Sequence, residues 1–210
     1  MRIILAGFFI IVALSLYFFP ALNIDKAPAL KINRQTNYVR LPNYSSVHSH
    51  AIQLKSYLHK NKFNEEICFL IDMKIPPGKN RFFVYDYNKD SVVDKGLVTH
   101  GGGSQTASDT LRFSNVPNSN ATSIGKYKIG NEYTGKFGTA FKLYGLDKTN
   151  SAAFKRFVVL HAHRCVPDEE VFPAPICTSL GCPTVAPAFL SKLKAYIINS
   201  EKPILLWIFY

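Results

Sequence analysis

Cysteine is scarce in this chain, with four residues in 210, too few for a miniprotein held together by a disulfide framework. Acidic residues are scarce as well. Fourteen Asp and Glu stand against twenty-five Lys and Arg, a net charge of +11. That excess points to an anionic partner and does not by itself choose among nucleic acid, a lipid surface and an acidic polymer. No internal repeat or low-complexity tract occurs. No Gly-Lys-Ser or Gly-Lys-Thr follows a glycine run, and no serine sits in G-x-S-x-G, so the phosphate loop and the α/β-hydrolase nucleophile elbow are both missing. What is abundant is apolar. Hydrophobic residues make up 47% of the chain, with 16 Phe and 11 Tyr, enough for the core of one ordinary domain and too much for a disordered chain.

One long hydrophobic run is present. After Arg2, residues 3–19 carry no charge, and Pro20, Ala21 and Leu22 extend the run. A spanning helix takes ~20 apolar residues, so residues 1–22 are expected to form a signal peptide or an uncleaved membrane anchor. No cysteine stands near the run to carry a lipid. The chain is therefore expected in the periplasm or cell envelope, touching a membrane only if the segment stays uncleaved. Residues 23–45, with Pro28 and Pro42, read as a tether, and residues 46–210 as the folded domain. Nucleic acid is not expected as a partner, and a monomer is expected.

Within that domain Val47, Ala51, Leu54 and Leu58 recur at helical spacing behind Ser45 and Ser46, which are placed to cap the start. The texture then changes to short β-rich runs: residues 67–73, 82–87, 92–99, 127–129, 141–143 and 157–161. Asn88-Lys89-Asp90 reads as a hairpin turn. Phe189, Leu190, Leu193, Tyr196 and Ile197 return to helical spacing over 187–199, and residues 204–209 close the chain as an apolar strand. The expectation is a mainly β domain with flanking helices.

Reactive side chains concentrate in His161-Ala162-His163-Arg164-Cys165 and in Cys177-Thr178-Ser179-Leu180-Gly181-Cys182-Pro183. Three chemistries fit the residue types. A nucleophilic cysteine needs a histidine base and backbone N–H donors for the oxyanion, and Gly181 before Cys182 allows the sharp turn that aims amides at one point. Zinc would suit the same histidines and cysteines, although the close CxxC pairs of structural sites are missing. A structural disulfide with two strand histidines is the third. His100-Gly101-Gly102-Gly103 imitates an esterase oxyanion loop, but without the serine elbow it reads as a flexible loop at a strand end.

From Ser179-Leu180-Gly181-Cys182 outward the sequence resembles the catalytic domain of bacterial murein L,D-transpeptidases, the YkuD-like group. That signature is a histidine, a spacer of about 17 residues, then Ser/Thr-His-Gly-Cys, and counting from His161 residues 162–178 supply the spacer. The likeness runs through Phe113-Ser114-Asn115, Ser123-Ile124-Gly125-Lys126-Tyr127, Tyr133-Thr134-Gly135-Lys136-Phe137-Gly138 and Leu143-Tyr144-Gly145-Leu146-Asp147 to Asn150 and Arg156. It matches the branch in which proline follows the cysteine. One departure stands out: Leu180 occupies the place of the motif's second histidine.

The resemblance implies an L,D-transpeptidase-type β-sandwich acting on peptidoglycan stem peptides, with no cofactor and no metal. It implies Cys182 as nucleophile, His161 as base, the amides of Gly181 and Cys182 as oxyanion donors, and Ser179 orienting His161 or stabilising the loop. His100, Arg112, Gly125, Tyr127 and His163 are the expected substrate-binding residues, with Arg156 and Arg164 as further carboxylate-binding candidates. Cys165 and Cys177, between base and nucleophile, are expected to pair. An inactive envelope-binding module on the same fold is the alternative that Leu180 raises.

Overall fold

In the computed structural model, residues 44–108 and 110–210 are described. The expected signal or anchor at 1–22 and residues 23–43 of the expected tether lie outside them. Among the described residues no helix is long and apolar enough to cross a membrane.

The domain opens with α1, Ser45–Lys60, whose buried side chains are Val47, Ala51, Leu54 and Leu58. The expected serine cap is not used: Tyr44 occupies the cap position, and it makes no side-chain cap hydrogen bond. Packing against the sheet, rather than capping, therefore holds this helix.

Eight strands follow: β1 (Ile67–Asp72), β2 (Phe82–Asp86), β3 (Ser91–Gly96), β4 (Gly125–Gly135), β5 (Gly138–Gly145), β6 (Val159–Ala162), β7 (Thr184–Val185) and β8 (Leu205–Phe209). Between β7 and β8 lies α2, Pro187–Ile198. All strands join one hydrogen-bonded sheet in the order β3-β2-β1-β8-β4-β5-β6-β7. β8 inserts parallel to β1 and antiparallel to β4. The sheet curls until its ends meet, because Val98, just past β3, bridges Val185 of β7.

Both faces of the central strands are covered, which explains why β1 reads as an unbroken apolar run. Alternation sends Phe69 and Ile71 to one core with Phe82, Leu206 and Phe189, and Cys68 and Leu70 to the other with Phe83, Leu205 and the α1 stripe.

Three elements exceed what periodicity shows, among them β5, which runs Gly138–Gly145 where 141–143 is expected. β4 extends well past the expected 127–129 because its outer half, beyond a bulge between Ile129 and Glu132, leaves the core and pairs only with β5. That half projects the hairpin tip, Lys136 and Phe137, over the end of β6. β7 is two residues long and exists through its parallel pairing with β6, His161 with Thr184 and Ala162 with Val185.

Leu58 is fully buried between α1 and β1. Leu58→Ala should lower unfolding free energy by about 2–5 kcal/mol, the range for truncating a buried leucine. Denaturant unfolding measures it; a loss of only a few tenths would mean that α1 is not docked as described.

Candidate active site

His161 lies in β6, paired to Ala140 on one side and Thr184 on the other, and only 7% exposed. Its Nδ1 lies 3.1 Å from the carbonyl of Ala162. A carbonyl only accepts, so the proton belongs on Nδ1 and the lone pair on Nε2. Nε2 in turn accepts from the Thr184 hydroxyl at 3.0 Å. Phe137, from the β4–β5 tip, stacks on the imidazole at 5.0 Å between centroids. Burial pushes the His161 pKa below its ordinary 6.5; the Ala162 carbonyl opposes that shift, and nearby His163 adds to it.

The 179–184 loop, which carries Cys182, is stitched to the segment after β3. Ser179 N–H donates to the His100 carbonyl at 2.9 Å and Gly102 N–H donates to the Ser179 carbonyl at 2.8 Å. The Thr99 hydroxyl donates to the Cys182 carbonyl at 3.3 Å and accepts from Thr184 N–H at 3.2 Å. Gly181 turns the chain at φ +115°, and a Cβ there would stand 2.9 Å from the Ala121 carbonyl oxygen. Gly101 is equally confined: a Cβ would stand 2.2 Å from the Asn120 carbonyl oxygen and 2.9 Å from Gly181 Cα. The glycine run expected to be flexible is thus a packed floor, because glycines let three backbone segments approach one another.

Cys182 Sγ sits beside the start of β6. Its S–H points to the Phe157 carbonyl at 3.7 Å, and Val159 N–H donates to the sulfur at 3.5 Å. Arg156 lies nearby, held by the carbonyls of Ser114 and Ala121 and by the Ser119 hydroxyl. Burial raises the thiol pKa above its ordinary 9.0, while the Val159 amide and the Arg156 charge pull it down. The net shift is upward because the thiolate loses hydration on burial. No hydrogen bond joins Cys182 to His161. Both open on one cavity of about 420 Å³, which Thr184, Ser179, Arg156, Phe137, Phe157 and Leu180 also line.

Several expected assignments need correction. Tyr127 is fully buried in the core, its hydroxyl bonded to Ser123, so it cannot touch a substrate. Gly125 pairs with Ile208, and its open side faces Asn150, Asp147 and Thr149. Arg112 is exposed, its Nε on the Gly103 carbonyl, and does not line the cavity. His100 is 4% exposed; its Nδ1 lies 3.1 Å from buried Arg81 and accepts from it. Burial and the Arg81 charge hold its pKa near about 4, and its Nε2 is the one buried side-chain polar atom without a partner among the described residues. His100 therefore supports the floor of the loop instead of binding substrate.

Ser179 stabilises the loop rather than orienting His161, donating to the Cys182 carbonyl at 2.6 Å and accepting from Gly181 N–H at 3.1 Å. The Gly181 amide is thereby occupied, so of the two expected oxyanion donors only the Cys182 amide is without a hydrogen-bond partner among the described residues. His163 lines the cavity, with Nδ1 accepting from Cys165 N–H at 3.2 Å. Its ring edge meets Phe137, and together they separate this cavity from a neighbouring one of about 510 Å³ that Arg164 lines.

Cys165 and Cys177 form a disulfide, Cα–Cα 5.9 Å, on the cavity wall. That bond leaves neither sulfur as a thiolate for zinc. Thr184 and Phe157 are site residues that motif reading passed over.

A model of the L,D-transpeptidase catalytic domain matches residues 41–207 of the chain. No curated protein matches it. Among solved structures, Bd1075 of Bdellovibrio bacteriovorus is 17% identical with a TM-score of 0.43, over 71% of this chain and 49% of that one. An L,D-transpeptidase (residues 123–326) from Xylanimonas cellulosilytica is 11% identical with a TM-score of 0.38, over 73% and 68%. The helical cell shape determining protein Pgp2 from Campylobacter jejuni is 12% identical with a TM-score of 0.43, over 68% and 46%. The chain spans about half the length of the first and third of these. With its model matched over most of the domain, the family is shown: the chain belongs to the L,D-transpeptidase catalytic domain family.

Proposed function

We propose that the chain is a cysteine L,D-transpeptidase of peptidoglycan stem peptides, working outside the cytoplasmic membrane, to which residues 1–22 deliver or anchor it. The observation that carries this reading is the single cavity shared by Cys182 and His161, with the thiol placed beside backbone and the basic Nε2 defined by its neighbours. The thiol proton passes to Nε2, and Sγ attacks the carbonyl at the L-centre of the diamino acid. The amide N–H of Cys182, which makes no hydrogen bond, receives the developing oxyanion. The C–N bond then breaks, and the imidazolium returns its proton to the departing D-alanine amine. A side-chain amine of a second stem attacks the thioester, gives a proton to His161 and releases the thiol; water in its place gives L,D-carboxypeptidase activity. The +11 charge suits carboxylate-bearing stems, and Arg156 is a cation whose charge favours the thiolate.

A second reading, an envelope-binding module without turnover, draws on Leu180 and on the absence of a direct His161–Cys182 hydrogen bond. The variants below separate the two.

Cys182→Ala should abolish D-alanine release from a tetrapeptide stem while leaving the melting temperature within a few degrees; retained release would remove Cys182 from the mechanism. His161→Ala should cost at least ~10²-fold in rate, and His163→Ala far less. Thr184→Val, which removes the hydroxyl at Nε2, should fall between them. The reverse order for the two histidines would make His163 the base.

The pH dependence follows from the shifts. His161 must be neutral to take the proton, and its lowered pKa puts the acid limb below pH 6.5, with activity lost as pH falls through it. The raised thiol pKa means that alkylation of Cys182 by iodoacetamide, followed by peptide mass, should keep rising through pH 9.0. A plateau reached below pH 8 would contradict the neutral resting pair. Cys68, buried and pushed up to about 12, should stay unlabelled and serve as the internal reference.

A further inference from the structure

Phe157 is placed at a cost. Its φ is +57°, a region where a bulky residue is an outlier that the surroundings must enforce. The reason for the conformation is visible: it turns the Phe157 carbonyl onto the Cys182 thiol and lets β6 begin two residues later. Glycine or asparagine would serve that backbone better, so the fold does not ask for an aromatic ring. The ring is also not used in packing. Phe157 is 84% exposed, and no ring pair among the described residues includes it.

Leu180 presents the same puzzle. It is 78% exposed although the residues on both sides are fixed, Ser179 to the His100 floor and Gly181 by its confined turn. Both apolar side chains line the cavity that holds Cys182. Two large apolar groups held out to water by rigid backbone, in the cavity that holds Cys182, are a preorganised contact waiting for an apolar partner.

The position of the thiol names that partner. Phe157 touches Sγ through its own carbonyl and Leu180 lies two residues from Cys182, so the group nearest both side chains during reaction is the one attached to the carbonyl under attack. Resting on the transpeptidase reading, we infer that Phe157 and Leu180 form an apolar clamp for the methylene chain of the residue carrying the scissile carbonyl. The clamp selects acyl donors whose L-centre bears a long unbranched aliphatic arm, and covers those methylenes while the polar end of the arm stays in water.

Tetrapeptide donors with 2,4-diaminobutyrate, ornithine or lysine at the L-centre differ by one methylene each and test this with the purified full-length chain. For the unmodified protein kcat/KM for D-alanine release should rise about fourfold per methylene, the value of burying one CH₂. In Phe157→Gly and Leu180→Asn the rise should fall below about twofold per methylene, with KM changing more than kcat. Phe157→Gly should melt no lower than the parent, because glycine suits a positive φ, whereas a merely structural phenylalanine would lower it. An unchanged chain-length slope in both variants overturns the clamp, as does a parent enzyme that releases D-alanine equally from all three donors. No release from any donor, with Cys182 left unacylated, overturns the transpeptidase reading and the clamp with it.

Discussion

The site depends on the seam where the ends of the sheet meet. Val98 bridges Val185, Thr99 and Thr184 exchange two hydrogen bonds, and Ser179 is gripped by His100 and Gly102. Beneath this seam lies Arg81, fully buried, whose Nε and Nη2 both donate to the Val98 carbonyl and whose Nη2 also donates to His100. Asp72 offsets part of the cost of burying that cation. Every residue proposed for chemistry hangs on one side of the seam or the other: the thiol through the 179–184 loop, the imidazole through its pairing with Thr184. Small displacements of the seam therefore move Cys182 and His161 relative to each other, which would matter to the proposed chemistry.

The electrostatics of the resting site follow from that burial. Thiol and imidazole are both shifted toward their neutral forms, so in the proposed mechanism charge separates only during reaction. The Val159 amide and Arg156 are the groups that favour the thiolate form of Cys182, and the Cys182 amide has no hydrogen-bond partner among the described residues to compete with the oxyanion of the proposed mechanism. A substrate that fills the cavity and displaces water strengthens each of these interactions.

Much of this was legible in sequence where one period dominated. The α1 stripe and the apolar β1 run declare themselves, and the spacing from His161 to Ser179 points to the one cavity that His161 and Cys182 line. Failures came where tertiary contact, not local pattern, decides. Gly101 looks like a hinge because glycine permits both mobility and close approach, and only the neighbouring Asn120 and Gly181 backbones choose between them. Tyr127 and Gly125 sit inside a motif, yet the motif there builds the core of β4. Thr184 was missed since a two-residue strand has no period to read, and Phe157 because no composition rule marks a strained, exposed aromatic. Leu180 was noticed as a departure, but its exposure gives it a meaning that the substitution alone did not.

The central claim is that Cys182 becomes acylated by a stem peptide within this cavity. Intact mass spectrometry after brief incubation with a tetrapeptide stem, followed by peptide mapping, tests it directly. The account predicts a mass increase equal to the stem less D-alanine, carried by the peptide containing Cys182 and absent from Cys182→Ala. An unmodified protein at saturating stem, or acylation mapped to any other residue, would contradict it.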